Sequence, residues 1–206
     1  MFRQTLPVLA FGLAAACTGS SSTPTDMHAG MDMSAARTAE LTPAVFASLA
    51  QVRNATAQYH DVDAAIAAGY TVWSPDPFAA NATCPTNPAG SMGYHLVNVP
   101  LRGGAANPAA GDAVIEALQP EMLLYEKRPD GKLHLVGVEY IVFTEAWERD
   151  HGAGAAPPEV FGQPLLASAH NFVPNGPVIP HYELHVWLWT TNPLGMFAPW
   201  NPTVSC

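Results

Sequence analysis

The sequence predicts an α+β domain, with helices near its N-terminal end followed by a curved antiparallel sheet or small barrel joined by Pro- and Gly-rich loops. Helical spacing of apolar residues is confined to residues 42–68. Alternating runs rich in β-branched and aromatic residues dominate from residue 92 onward. The 20 prolines and 16 glycines, with only 12% of residues charged, argue for a turn-rich chain rather than a helical bundle.

The chain opens with a leader. Met1 to Ala16 carries one basic residue, Arg3, and an apolar run from Leu6 that is too short to span a bilayer. It ends in Leu13-Ala-Ala-Ala-Cys17 and continues into a Ser/Thr-rich stretch, the pattern of a bacterial lipoprotein signal in which Cys17 is acylated. An ordinary secretory signal cleaved nearby is the alternative. Both readings export the chain to the cell envelope, with the lipid anchor as its contact with membrane. Residues 18–40 then form a tether holding Met27, His28, Met31 and Met33. Thioethers and imidazole suit copper(I), so this cluster is a candidate copper site; the plainer reading is a linker in which Met recurs.

The domain spans residues 41–206. Thr42 is placed to cap a first helix with Pro43 at its first position, and Val45, Leu49, Val52, Thr56 and Tyr59 follow at helical spacing. Asp61 caps a second, short helix that Gly69 ends. Tyr70–Trp73 is a short strand, followed by a Pro/Asn-rich loop containing Cys84, and residues 102–111 form another loop. Met92–Val99 and Glu121–Glu126 read as strands, the latter turned by Asp130-Gly131 into a long strand from Lys132 to Phe143. Residues 147–180 read as loop with one short helix. The last strand is His181–Trp189, making four or five in all.

With Cys17 taken as the lipid site, Cys84 and Cys206 remain to pair in an oxidising compartment. Such a bridge closes a loop of more than a hundred residues.

The last strand also carries the candidate chemistry. Residues two apart share a face, so His181, Glu183, His185, Trp187 and Trp189 point one way. On the strand before it, Glu139 shares its row with Leu133, Leu135, Gly137, Ile141 and Phe143, and His95 sits beside Val97 and Val99. A carboxylate in an apolar row must be paired, protonated or ligating, because burying it alone costs several kcal/mol. His95, Glu139, Glu183 and His185 are therefore the candidate ligands of a zinc, manganese, iron or copper ion. His181 is about 13 Å from His185 at Cα for a strand rise of about 3.3 Å, so it is an outer partner or alternative ligand. A buried polar network and a small-molecule pocket, with the late tryptophans as its wall, are the competing readings. His134, His151 and His170 read as ordinary surface or loop histidines.

Other classes are disfavoured. The formal net charge is −9 with 8 Lys and Arg, and none follows Arg149, which argues against a nucleic-acid partner. Nucleophile-elbow, phosphate-loop, dinucleotide and His-Glu-x-x-His motifs are absent from the sequence.

Tyr59-His-Asp61, Ala67-Ala-Gly-Tyr70, Met92-Gly-Tyr-His95, Leu124-Tyr-Glu126, Leu135-Val-Gly-Val-Glu-Tyr140 and His181 through Cys206 together resemble a family of exported bacterial proteins and lipoproteins. That resemblance covers roughly residues 55–206 and implies a single exported domain without implying an activity. A looser likeness is to small exported domains that also pair a Met-Gly-x-His segment with a late His-rich strand. Metal-dependent enzymes of the cupin type share the His/Glu ligand set, but the chain lacks their His-x-His followed by Glu.

Overall fold

The computed structural model describes residues 41–71, 84–103, 111–171 and 177–206. Cys17 and the tether residues Met27, His28, Met31 and Met33 lie outside the described residues, as do the last two positions of the expected strand at 70–73.

The chain is α+β. Helix α1 (Pro43–Thr56) starts where Thr42 Oγ1 accepts the Val45 N–H at 3.3 Å, with Pro43 at the first position. A single 3-10 turn (Ala57–His60) leads to α2 (Val62–Ala67), capped by the Asp61 carboxylate on the Asp63 N–H and ended by Gly69 at φ 95°. Then come β1 (Tyr70–Thr71), the small hairpin β2 (Thr86–Asn87) and β3 (Gly90–Ser91), and β4 (Tyr94–Asn98). The long hairpin β5 (Met122–Lys127) and β6 (Leu133–Phe143) follows, with α3 (Thr144–His151) directly after it. Last are the hairpin β7 (Glu159–Val160) and β8 (Gln163–Pro164), then β9 (Leu166–His170) and β10 (Ile179–Val186).

Six strands form one open antiparallel sheet in the order β1-β4-β5-β6-β10-β9. The sheet does not close, so the small-barrel alternative is set aside. The segment expected to be loop supplies β9, which pairs with β10 from His170↔Ile179 to Leu166↔Glu183. Leu-Ala-Ser-Ala-His is too poor in β-formers to announce itself; its partner makes it a strand.

One face of the sheet packs on the helices. Leu49, Val52 and Ala65 meet Leu96, Leu123, Tyr125, Leu135, Val138, Tyr140, Val142, Leu184 and Val186 in a single buried cluster. Three of its tyrosines donate the hydroxyl to a backbone carbonyl: Tyr70 to Pro120 at 2.8 Å, Tyr125 to Tyr59 at 2.6 Å, Tyr140 to Ala117 at 2.6 Å. The opposite face carries the candidate ligands, with Val97, Met122 and Ile141 buried among them.

A bulge corrects the expected face of β6. Leu124 pairs with Gly137 but Tyr125 with Leu135, leaving Val136 as the extra residue. Alternation reverses there, so Leu135 joins the helical core while Val136 packs with Leu124, Trp187 and Val204. Leu133 likewise packs on the helical side. Glu139, Ile141 and Phe143 lie beyond the bulge and keep the expected face. Trp189 is also displaced. β10 stops at Val186, the Trp187 N–H turns to the Met196 carbonyl at 3.0 Å, and Trp189 sits against His60 and Arg53 on the helical side.

Gly137 on β6 faces the backbone of β10 at close range. A Cβ there would lie 2.7 Å from the Val186 carbonyl oxygen and 3.3 Å from Leu124 Cδ1, so two backbones would have to separate. Gly137→Ala is expected to cost about 1–3 kcal/mol in denaturant unfolding, a typical overpacking loss.

Glu121 directly precedes β5 and is 2% exposed, with Oε2 accepting the Ile141 N–H at 3.2 Å. Burial raises its carboxyl well above the ordinary range, helped by the charges of Asp112 and Glu139. The folded chain therefore holds a proton that the unfolded chain releases, and stability falls as pH rises above the unfolded carboxyl's value. Glu121→Gln should match the parent near pH 4 and melt about 2–4 °C higher at neutral pH, measured by calorimetry across that range.

Cys84 and Cys206 form the expected disulfide, with their Cα atoms 6.0 Å apart. Beside it, Ser91 and Asn201 exchange backbone hydrogen bonds of 3.1 and 2.9 Å, laying the C-terminal segment across the end of the ligand-bearing face.

Candidate metal centre

The ligand-bearing face is built by register. His185 pairs with Glu139 across β10 and β6, and Glu139 with Met122 across β6 and β5. His95 reaches in from β4, one strand further on and one row along, where it pairs with Leu124. Glu139 Oε2 lies 3.1 Å from His95 Nε2 and 3.7 Å from His185 Nε2. The two rings meet edge-on with centroids 5.8 Å apart. His95, Glu139 and His185 are thus one group, with a single carboxylate oxygen between two imidazoles.

Glu183 does not join that group. One dipeptide along β10, its Oε2 lies 2.9 Å from His181 Nε2 and 3.6 Å from His170 Nε2. The expected four-residue set therefore divides in two, and His181 becomes an inner partner of Glu183. His170 corrects the sequence reading: it stands on β9 with its ring edge-on to His181, centroids 4.4 Å apart, and its side chain 21% exposed. The only trace of this in the sequence is the alternation Leu166, Ser168, His170, which places His170 in the row of His181 once β9 is paired. His134 and His151 are on the outside, beside Asp130 and stacked on Trp147 respectively.

Burial and the neighbouring charges shift these groups in different directions. Burial alone would raise the Glu139 carboxyl, but the His185 and His95 imidazoles outweigh it and hold it below the usual range. Burial would likewise raise Glu183, but the hydrogen bonds of His170 and His181 and the charges of His181 and His185 hold it well below that range. His185 is lowered by burial against the pull of both carboxylates. His181 is raised despite burial, through Glu183 and the Ile179 carbonyl.

Each group offers two imidazole nitrogens and a carboxylate oxygen, all within 4.8 Å of one another. Ligands at about 2.0–2.1 Å from a tetrahedral ion stand roughly 3.3–3.4 Å apart, so closure needs only small side-chain shifts. Both groups could hold a metal ion, each leaving a fourth position open. Trp187 and Trp189, with Arg53, Thr191, Asn192 and Met196, line a separate cavity of about 440 Å³.

No family model matches the chain, and no curated protein or solved structure matches it. Among the described residues no helix is long and apolar enough to cross a membrane.

Proposed function

We propose that the protein is a cell-envelope lipoprotein, anchored through Cys17, whose domain binds a divalent or copper-type transition ion at His95, Glu139 and His185. One observation carries this reading. His185 is 1% exposed, and among the described residues neither of its ring nitrogens has a hydrogen-bond partner. A buried polar group left so costs about 1–3 kcal/mol. An ion at Nε2, between His185 and the Glu139 carboxylate, would engage that nitrogen. The donor set has no thiolate, which suits zinc, manganese, iron or copper(II). Small-molecule binding is the second reading, supported by the 440 Å³ cavity with its two indoles.

The test is elemental analysis of the full chain, purified without a metal-binding tag, beside its His95→Ala variant. The variant should carry about one equivalent less of a transition metal while keeping its circular dichroism spectrum. Equal metal content in the two proteins would sink the assignment.

A further inference from the structure

We infer that His170, His181 and Glu183 hold a transition ion of their own, so that the domain carries two ions side by side along β10. The second site does not depend on occupancy of the first. It draws its ligands from β9 and β10, whereas the first draws on β4, β6 and β10. Glu183 and His185 are two residues apart on one face of β10, which places their Cα atoms about 7 Å apart.

Two observations fit an ion at this group. His181 is fully buried and its Nδ1 lies 2.8 Å from the Ile179 carbonyl, which can only accept. That nitrogen must carry a proton, and it turns Nε2 onto the Glu183 carboxylate. Metal-binding histidines are oriented in this way, with the far nitrogen donating to a backbone carbonyl. The second observation is Glu183 itself. It is 2% exposed, and while its Oε2 is shared by two imidazoles, its Oε1 has no hydrogen-bond partner among the described residues. An ion engages the carboxylate, His181 Nε2 and His170 Nε2 together. The arrangement also repeats the first group, in which one carboxylate oxygen again faces two Nε2 atoms at similar distances. The class of ligand is a divalent first-row cation with affinity for imidazole and carboxylate.

The full chain would be titrated with cobalt(II), a probe that reports imidazole and carboxylate ligation through its visible spectrum and does not favour the thioethers of the tether. The parent should take up about two equivalents. His170→Ala, at the partly exposed and more tolerant position, should take up one, and the one retained should vanish on adding His95→Ala. His95→Ala alone should keep one. His181→Ala repeats the test at the buried ligand, with circular dichroism to confirm folding. Retention of a cobalt ion by His95→Ala that is lost on adding His170→Ala supports the second site even if the first triad proves empty. Cobalt uptake unchanged by His170→Ala, a single ion lost in both single variants, or no uptake by the parent would each overturn it.

Discussion

Glu139→Gln should weaken ion binding at the His95–Glu139–His185 group by about a thousand-fold or more, roughly 4 kcal/mol. Glu139 is the only anionic donor of that group, and its oxygen lies between both imidazoles. The amide keeps the shape but loses the charge that offsets a cation's desolvation in a site where the carboxylate and His185 are almost fully buried. In the apo protein the two imidazoles hold the Glu139 carboxyl below its usual range, so removing its charge leaves them without their partner and the variant should unfold at lower denaturant concentration. Competition titration with a chromophoric chelator gives the affinity, and urea unfolding of the chelator-treated proteins gives the stability. A purely structural network predicts the same stability loss with metal uptake unchanged.

The Cys84→Ser, Cys206→Ser double variant should lose about 3–5 kcal/mol, from the chain-entropy cost of a long closed loop. The sequence separation is 122 residues, near the upper end of that relation. The loss should concentrate in the C-terminal segment. Val204 packs on Leu124, Val136 and Trp187, and the Tyr94 hydroxyl donates to the Cys206 carbonyl at 3.3 Å, so this segment covers the strand from which His95 projects. Hydrogen exchange at Asn201 and Trp187 should accelerate before exchange in the β5–β6 hairpin does. A loss below about 1 kcal/mol would mean that the Ser91–Asn201 pairing and Val204 packing suffice without the bridge.

Much of this fold is legible in the sequence because local rules agree with it. Thr42-Pro43, Asp61 and Asp130-Gly131 mark helix starts and a hairpin turn by their own chemistry, and each stands where it reads. Glu139 is legible as a buried carboxylate because its apolar neighbours Ile141 and Phe143 leave it no other place. The division of the ligands into two groups is not legible. It depends on which strand flanks β10 on its far side, and β9 has no strong β-formers to identify it. His170 is lost with it. The bulge at Val136 is hidden for a similar reason: Leu133, Leu135 and Val136 are all apolar, so nothing in their polarity records the change of face. Trp189 departs from its row because backbone partners at Met196 and Val136 redirect the chain, and side-chain pattern does not report backbone partners.

The ligands are collected from four strands, the earliest at His95 and the latest at His185, joined through the register of β6 with both β5 and β10. No early fragment of the chain contains either group, and long-range antiparallel pairing is slow to form. The last strand must therefore dock before any ion can be caught. Any ion bound there would be taken from the pool that surrounds the finished sheet, and not from the pool at the ribosome. If the chain is exported as proposed, those two pools differ, and the order of strand assembly would then act as a filter on metal identity that the donor atoms alone do not provide.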